Sequence, residues 1–397
     1  MMPLALTSCA STNEFASRAI RAAEYYGFRP LEELTGTGTR TQIARVSPRD
    51  LALVHRDEKS LIPLVNACAA GGLATLGKPV FLWRPGAVAA SGARKSVSIE
   101  LHILGVPAAI AEALLITVAQ AIAADAGLER RIVRVNSIGS PESSARYVRE
   151  LGTYLRKNSE AIAENILTRV PADPLGALLS LVEKQSPVIA RAPQSMEFLN
   201  EEERHHLASV LEYLEAVNTY YELNPFVLGS RDCWTHTIFE VHGVHPETEE
   251  LVPFAKGGRY DKLISRALGG TPASGVGLTL TFELRGAKAP SFTRIKHDGA
   301  IPSLYFAHLS TEARQRGIML LETLRHAGIH AYQSLAYEHL SEQMAEAQAL
   351  HVPYMLIMGY KEATEGTVLV RDTYTNSQVA VPAGELIPYL KRHRIAA

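Results

Sequence analysis

The alternation of apolar and polar residues divides the chain into a mixed first part, a helical middle and a mixed last part. The first predicted helix runs from Asn13 to Tyr26, because apolar residues such as Phe15 and Ala23 recur on one stripe at helical spacing. Helical periodicity then dominates residues 143–221. From Ser303 onward, short apolar strands alternate with amphipathic helices, which predicts a mixed sheet covered by helices.

Several predicted elements carry local start or stop signals. Ser140 followed by Pro141 marks a helix start, since serine caps the first N–H groups and proline suits the first turn. Other helices are predicted over Leu61 to Ala70 and, ending at a glycine, over Ala108 to Ala126. The last part is predicted to contain strands over residues 303–307, 329–335, 353–359, 367–371 and 378–381, and helices over 311–326, 338–350 and from Glu385.

Composition narrows the protein class without identifying a function. A chain of 397 residues suggests two or three domains. Hydrophobic residues make up 47% and charged residues 20%, as in a soluble globular protein. The net charge of -1 excludes a bulk attraction to nucleic acid, so any RNA contact must be a local patch. The cysteines Cys9, Cys68 and Cys233 form no zinc spacing and no disulfide framework, which fits a reducing cytoplasm.

The longest apolar stretch, near residues 106–126, is predicted to be a packed helix rather than a membrane span. It is alanine-rich and carries Glu112, Gln120 and Asp125. We therefore expect no membrane partner.

The most informative stretch is residues 253–285. The pair Gly257-Gly258 leads into Arg259-Tyr260-Asp261, then a short helical run and a second glycine-rich loop. Glycine lets a backbone approach a ligand where a Cβ would clash. At a predicted strand end, this cluster indicates the floor of a small-molecule pocket, although a plain turn between two strands is the simpler alternative.

The full string resembles the second histidine-binding motif and motif 3 of histidyl-tRNA synthetases, AGGRYDGL, a GG-P-PAVGFA loop and GLERL. Two further strings resemble the same family. NSIGSPE at residues 136–142 is similar to NSLGDPE, and MLIMGYKEATEGTVLVRDT at 355–373 is similar to an anticodon-binding domain. The resemblance implies an α/β protein with an α+β catalytic-like core, which has the class II synthetase antiparallel sheet with helices, a helical insertion, and a C-terminal α/β anticodon-binding-like domain.

The resemblance also implies domain boundaries. The class II core is expected at residues 1–140 and 222–288, the helical insertion at 141–221, a linker at 289–302 and the anticodon-binding-like domain at 303–397. The helix and strand of residues 13–34 resemble motif 1, which builds a dimer interface in this family, so we expect a homodimer.

The motifs that would hold ATP depart from the family pattern. Motif 2 of the family resembles FRHERPQKGRYREFHQ, whereas this chain has WRPGAVAASGARKSVS. The resemblance places the family's acid on Gly86 and the adenine-stacking aromatic on Ser96. It also places the acid of the second strand on His102 and the arginine that activates the carboxylate on Gly229. An adenylate needs charged and aromatic groups at fixed places, so efficient activation is not expected.

The candidate site residues follow from these alignments. Arg84 is the candidate catalytic residue, because it falls on the arginine that contacts the α-phosphate and the substrate carboxylate. Arg285 is the candidate nucleotide-binding residue, and no metal ligand is predicted. The candidate substrate-binding residues are Glu58, Arg231, Gly257, Gly258, Arg259 and Tyr260, and the candidate RNA-binding residues are Lys391, Arg392 and Arg394. ATP and Mg are implied as cofactors only if the protein is active.

Two alternatives are open for the amino-acid pocket. A buried arginine and glutamate that face one cavity would be costly without a partner. We expect either a small zwitterionic ligand or an internal salt bridge that involves Arg84 and Glu58, with Lys256 and Arg231 nearby, and the internal bridge is favoured.

Three functions are compatible with the sequence. The first is a histidyl-tRNA synthetase paralogue without efficient aminoacylation that acts by binding tRNA or as a regulatory subunit. The second is an active histidine–tRNA ligase with a rearranged site. The third is the regulatory subunit of ATP phosphoribosyltransferase in histidine biosynthesis, which usually lacks the C-terminal domain present here. The partners implied are tRNA, a small amino-acid ligand and a second copy of the chain.

Overall fold

The structure is a computed structural model that describes residues 12–35, 58–86, 89–91, 94–128, 130–244, 249–283, 304–337 and 339–395. Its helices are α1 Thr12–Tyr25, α2 Leu31–Thr35, α3 Leu61–Ala70, α4 Ile110–Asp125, α5 Pro141–Lys157, α6 Glu164–Leu167, α7 Pro174–Glu183, α8 Glu201–Ala216, α9 Asp261–Ala267, α10 Thr311–His326, α11 Leu340–Ala349, α12 Tyr360–Glu365 and α13 Leu386–Arg392. Its strands are β1 Arg29–Pro30, β2 Val80–Pro85, β3 Ala89–Ser91, β4 Arg94–Leu104, β5 Arg131–Ser137, β6 Tyr221–Leu223, β7 Thr235–Val244, β8 Leu251–Arg259, β9 Gly275–Glu283, β10 Leu304–His308, β11 Ala331–Gln333, β12 Tyr354–Met358, β13 Thr367–Asp372 and β14 Gln378–Pro382.

A large sheet forms the first part of the described chain. Its strands follow the order β1-β2-β4-β9-β8-β7-β5-β6, and β3 pairs with β4. The pairs from β2 to β5 are antiparallel, whereas the edge pairs β1–β2 and β5–β6 are parallel. Apolar residues of α1, α4 and α8 cover one face, and those of α3, α5, α7 and α9 cover the other. The polar side chains discussed below lie on the second face, beside α3 and α9.

The helical middle of the chain begins where its sequence signals predict. Ser140 caps α5, because its Oγ accepts a hydrogen bond from the Ser143 N–H, and Pro141 is the first residue of the helix. Glu203 at the start of α8 reaches back to this cap, since its Oε1 accepts a hydrogen bond of 2.7 Å from the Ser140 N–H. The two ends of the helical segment are therefore tied together beside the large sheet.

The last part of the chain forms a second sheet in the order β11-β10-β12-β13-β14. The strands β10, β11 and β12 are parallel, and β13 and β14 continue the sheet as an antiparallel hairpin. The apolar run of β12 is buried, as the sequence predicts, with Leu356 fully inaccessible to solvent. The mixed sheet covered by helices is confirmed.

The two parts of the chain contact each other through α1 and α10. The Tyr25 hydroxyl donates hydrogen bonds to the carbonyl oxygens of Leu321 and Ile329, at 3.0 and 3.1 Å. Arg325 on α10 pairs with Asp125 at the end of α4, at 2.8 Å. The apolar side of α1, which the sequence predicts as a buried stripe, therefore packs within its own chain.

The sequence predicts most element positions but misses some short ones. The predicted helix Thr311 to His326 is confirmed, and α1 begins one residue before the predicted start. The six-residue helix α12 and the strand β6 were not predicted, since neither is long enough to show periodicity. The sequence also predicts a strand at residues 51–54 and a polar loop at 36–48, and both lie outside the described residues. The domain boundaries proposed above stay a prediction.

Candidate functional site

A row of polar side chains crosses the second face of the large sheet. Its members are directly opposed partners on β2, β4, β9, β8 and β7 in turn: Arg84, Glu100, Thr279, Lys256 and Glu240. Directly opposed residues of neighbouring strands point to the same face, so these side chains share one surface. The charges alternate along it, and two ion pairs form, Arg84–Glu100 at 2.7 Å and Lys256–Glu240 at 3.6 Å. The row is neutralised by the protein itself.

Arg84, the candidate catalytic residue, is bound by two groups of its own chain. Its Nε donates to Glu100 Oε2 at 2.7 Å, and its Nη2 donates to the Ser60 carbonyl at 2.6 Å. Glu100 is 1% exposed; burial raises its pKa, but bonds from His102 and Arg84 hold the pKa below the ordinary value of a glutamate. The predicted internal salt bridge exists, but the expected partner was wrong, because Arg84 pairs with Glu100 rather than with Glu58.

An imidazole of the protein occupies the floor beside Tyr260. His102 Nδ1 lies 3.1 Å from the Tyr260 hydroxyl, and both side chains are buried. Burial lowers the pKa of His102, so the ring is neutral, and its Nε2 lies 3.6 Å from Glu100. A Cβ at Gly277 would overlap the His102 ring. Glycine at position 277 thus makes room for a side chain of this chain.

Glu58 and Trp234 close the neighbouring part of the site. Glu58 is 4% exposed, and its carboxylate accepts hydrogen bonds from the Ser230 N–H at 3.0 Å and from the Trp234 indole N–H at 2.6 Å. A Cβ at Gly229 would overlap both the Trp234 ring and Glu58 Oε1. The place where the resemblance puts an activating arginine is therefore filled by an indole and a carboxylate.

The glycine pair on β8 is required by packing between strands. A Cβ at Gly257 would lie 2.7 Å from the Leu278 Cβ, and a Cβ at Gly258 would lie 2.8 Å from the Thr237 carbonyl oxygen. The same Gly258 Cβ would lie 3.0 Å from the Trp234 ring. The pair was predicted to let the backbone approach a ligand. In the structure, the backbone of the glycine pair instead lies close to β7, β9 and Trp234.

Arg259 lies apart from the other candidate residues, on the side of α4. It is 1% exposed, and its Nε donates to Glu112 Oε1 at 2.8 Å. His206 Nε2 lies 2.8 Å from the same carboxylate oxygen. Burial raises the pKa of Glu112, but Arg259 and His206 together lower it to about 2. Arg259 is thus part of a buried ion pair, and the structure does not bring it to the surface shared by Arg84 and Tyr260.

Arg231 and Arg285 complete the candidate substrate and nucleotide contacts. If residues 229–231 formed a strand, Arg231 would point to the same face as Gly229, but the structure places Arg231 in a turn, so that strand geometry is wrong. Its side chain is 41% exposed, and its Nε lies 3.9 Å from Asp232 Oδ1. Arg285 lies outside the described residues.

The residues that the resemblance aligns with an ATP site do not fit ATP and Mg. A Cβ at Gly86 would overlap the Ser98 hydroxyl, so an acidic side chain has no space at position 86 without movement of β4. Arg84, which the resemblance aligns with a phosphate-contacting arginine, is held by Glu100. Within the described ranges, no group of three His, Cys, Asp or Glu side chains is arranged to hold a metal ion. Position 86 and Arg84 therefore offer no free charged group to an adenylate.

A separate groove of about 600 Å³ lies between the start of α5 and α9. Thr235, His236, Asp261, Lys262 and Arg266 are among its lining residues. Asp261 accepts a hydrogen bond of 2.8 Å from the Gly275 N–H. Burial raises the pKa of this carboxyl, and Arg259 opposes the rise.

The candidate RNA-binding residues lie at the end of α13. Lys391, Arg392 and Arg394 are all exposed. Tyr389 stacks on His393 in the same turn, with ring centroids 4.1 Å apart. The last described turn therefore presents a compact group of cations to solvent.

Sequence reasoning did not single out Glu100, Glu240 or Trp234 as site residues. Glu100 alternates with apolar residues along β4, and a charged residue on the inward side of a strand is a signal that a buried partner exists. Trp234 could not be found this way. Its contact with Gly229 depends on the path of the turn between residues 229 and 234, which no local pattern specifies.

Comparison with known proteins gives consistent likenesses. Residues 304–393 match the family model of the anticodon binding domain. The histidine–tRNA ligase of Symbiobacterium thermophilum is 29% identical over 301 residues, which are 74% of this chain and 68% of that protein. The histidine–tRNA ligase of Thermosynechococcus vestitus is 29% identical over 299 residues, with the same two shares.

Two solved structures are also similar to this chain. The apo histidyl-tRNA synthetase of S. aureus has a TM-score of 0.48 at 19% identity and covers 98% of this chain and 100% of its own. An ATP phosphoribosyltransferase regulatory subunit/histidyl-tRNA synthetase from Bacillus halodurans has a TM-score of 0.41 at 15% identity, and covers 87% of this chain and 92% of its own. Across the helices of the described segments, none combines the length and the apolar character needed to cross a membrane.

Proposed function

Because the chain is a histidyl-tRNA synthetase-like protein of class II with a C-terminal anticodon-binding domain, we propose that it acts by binding tRNA and does not aminoacylate it efficiently. The observation that carries this proposal is the filled site. The Trp234 indole and the Glu58 carboxylate occupy the place aligned with the family's activating arginine, and they do so with short hydrogen bonds. A histidyl adenylate has no preorganised cation there to stabilise it.

The second support is that the remaining polar groups already have partners. Arg84 and Glu100, and Lys256 and Glu240, neutralise one another on the sheet surface. A substrate would have to break these pairs, and separating a partly buried ion pair leaves a charge uncompensated at a cost of about 3–5 kcal/mol. Such a surface is stable without a ligand and gains little from binding one.

The third support is the basic end of the C-terminal domain. Lys391, Arg392 and Arg394 are exposed, whereas the whole chain carries a net charge of only -1. A local cluster of this kind attracts phosphates and releases counterions on binding. The group lies at the end of the region matched to the anticodon binding domain, with Arg394 one residue beyond it, and we propose it as the phosphate contact.

The experiment is tRNA binding by the full chain at low and at physiological salt. Replacement of Lys391, Arg392 and Arg394 by alanine is expected to weaken binding and to flatten its dependence on salt concentration. The matched control replaces Arg149, Arg156 and Lys157, which are exposed on α5, and removes the same charge from a different surface. The proposal fails if the wild-type chain binds no tRNA at low salt, or if the two triple variants bind equally.

Two alternatives make opposite predictions. An active histidine–tRNA ligase with a rearranged site requires that Arg84 leave Glu100 when substrate binds, so Arg84→Gln would abolish turnover. A regulatory subunit of ATP phosphoribosyltransferase requires a complex with the catalytic subunit of that enzyme, which co-purification would detect. The contacts of Arg84 and the presence of residues 304–393 favour the tRNA-binding function over both.

We also propose a cytoplasmic homodimer. The short strand β1 is the edge of the large sheet, and its outer side is unpaired among the described strands. Cys68 and Cys233 are both free and buried, which suits a reducing compartment. Light scattering at micromolar concentration is expected to give twice the chain mass of 43.2 kDa. A monomer mass over the whole concentration range would contradict the dimer.

A further inference from the structure

The groove between the start of α5 and α9 is bordered by two cations of α9. Lys262 and Arg266 lie four residues apart in this helix, so their side chains project from the same side. The volume of about 600 Å³ is within the range of about 300–1,000 Å³ that is typical of small-molecule sites. Gly269 and Gly270 form one edge, and a Cβ at either position would meet no atom of the described residues within 4 Å. The groove is therefore open along this edge.

Neither cation is neutralised by a close partner among the described residues. The Lys262 side chain is 37% exposed, and its Nζ lies 3.8 Å from Asp232 Oδ1. A pair at this distance and exposure contributes little, so the ammonium keeps donors for a ligand. Arg266 is exposed, and its guanidinium forms no hydrogen bond or ion pair with the part of the chain that the structure describes. The resemblance aligns Lys262 with a glycine of the string AGGRYDGL, so this cation belongs to this chain rather than to that motif.

His236, which also lines the groove, has an unusual backbone. Its φ of +50° lies in the left-handed region that few non-glycine residues adopt. Two backbone hydrogen bonds fix it there, because its N–H donates to the Gly139 carbonyl at 2.8 Å and its carbonyl accepts from the Ile138 N–H at 2.9 Å. Its Nδ1 is buried and has no hydrogen-bond partner among the described residues. Strained backbone and an unpaired ring nitrogen in one groove wall indicate a place where a ligand contributes a hydrogen bond.

A buried network connects the acid of the groove with this histidine. Asp261 Oδ1 lies 3.5 Å from Arg259 Nη1. Arg259 and His206 both contact Glu112, and the His206 ring lies 5.6 Å from the His236 ring. Burial lowers the pKa of His236, so its ring is neutral. Asp261 and His236 are therefore held in place by groups in the interior of the protein.

We propose that this groove binds a small phosphate monoester, whose phosphate contacts Lys262 and Arg266 and whose hydroxyl groups reach Asp261 and His236. Ammonium and guanidinium groups suit a phosphate, because they donate charge-assisted hydrogen bonds to its oxygens. A carboxyl group accepts hydrogen bonds from hydroxyls but repels an anion when it is ionised, so the ligand must separate its phosphate from its donors. A sugar phosphate has this arrangement. The site lies apart from the row of Arg84 and goes beyond the proposed function, since it does not depend on tRNA binding.

The full chain is titrated by isothermal calorimetry with ribose 5-phosphate, ribose and inorganic phosphate at constant ionic strength. We expect saturable binding of ribose 5-phosphate with a Kd of about 1 mM or lower, weaker binding of inorganic phosphate and none of ribose. The double variant Lys262→Ala/Arg266→Ala should weaken binding of ribose 5-phosphate roughly tenfold or more, because hydrogen bonds to a charged group are lost. The matched control Arg156→Ala/Lys157→Ala removes the same charge about 22 Å along α5 from Pro141, and should bind as the wild type does.

A second variant tests the histidine without removing charge. His236→Gly suits the left-handed backbone, so the chain should still fold, with an unchanged urea midpoint. It removes the imidazole and should weaken binding of ribose 5-phosphate about 3- to 10-fold, as expected for one neutral hydrogen bond.

The inference is overturned if ribose 5-phosphate shows no saturable binding, or if the groove double variant and its control bind it equally. An unchanged affinity in His236→Gly, or inorganic phosphate that binds as tightly as ribose 5-phosphate, also overturns it.

Binding of tRNA separates this inference from the proposed function. The groove double variant should bind tRNA as the wild type does, and the triple variant of α13 should bind ribose 5-phosphate as the wild type does. A loss of tRNA affinity in the groove double variant would identify the bound phosphate as one of RNA. That result would overturn the small-molecule site and leave the proposed function standing.

Discussion

Gly229→Ala tests directly whether the chain's own side chains fill the place of the activating arginine. The Cβ that this substitution adds would overlap the Trp234 ring and Glu58 Oε1. Forcing one methyl group into a packed site costs about 1–3 kcal/mol. Displacement of Glu58 also weakens its bonds to Ser230 and Trp234, and hydrogen bonds to a charged group contribute about 1.5–3 kcal/mol. We expect a loss of about 3 kcal/mol in the free energy of unfolding.

The assay is urea unfolding, followed by far-UV circular dichroism and by tryptophan fluorescence. One of the two tryptophans of the chain is Trp234 itself, so its emission should change in the folded variant. The matched control is Gly152→Ala in α5, where the added Cβ would meet only ordinary contacts of 3.4 and 3.6 Å. In a helix interior that change should be neutral or stabilising by up to about 1 kcal/mol. If Gly229→Ala is as stable as the wild type and leaves the tryptophan emission unchanged, the description of the filled site is wrong.

Three further predictions concern stability. Glu112→Gln removes the closer of the two carboxylates that pair with the buried Arg259 and should cost about 3–5 kcal/mol in urea unfolding, whereas Glu160→Gln on the surface should stay within about 0.5 kcal/mol. Because the pKa of Glu112 is lowered to about 2, its contribution to the free energy of unfolding should be complete above pH 4.5 and should be lost as the pH falls toward 2. If the stability of the wild type falls no more steeply over this range than that of Glu112→Gln, the prediction is wrong. Burial lowers the pKa of His308 to about 4, so the unfolded chain binds a proton at this residue at a higher pH than the folded chain does. The free energy of unfolding of the C-terminal domain should therefore decrease by about 3 kcal/mol as the pH falls from 6.5 to 4. An unfolding midpoint that does not change with pH over this range would contradict the assignment.

Local signals in the sequence predict where most elements begin and end, because capping and periodicity act over a few residues. The Ser140–Pro141 helix start and the buried strand around Leu356 are examples. The helix α12 escapes such reasoning, since six residues following Gly359 show no periodicity. Its capping interaction, a hydrogen bond from the Gly359 N–H to Glu362, is too common in turns to identify a helix.

The candidate site is less predictable, because its contacts join residues far apart in the chain. Arg84 meets Glu100 through the register of β2 and β4, which a correctly aligned hairpin could have indicated. Arg259 pairs with Glu112 across 147 positions, and no local pattern links the two. The resemblance to a known family located the surface, and only the structure showed that the chain's own side chains fill it.

We propose that this synthetase-like site does not activate histidine efficiently, and ATP–pyrophosphate exchange in the presence of histidine measures that step directly. We expect exchange near background for the wild type and an equal rate for Arg84→Gln, because Arg84 is held by Glu100. Loss of even one preorganised charge contact typically costs about 3 kcal/mol of transition-state stabilisation. Histidine-dependent exchange at roughly 1 per second or faster, abolished by Arg84→Gln, would contradict the proposed function.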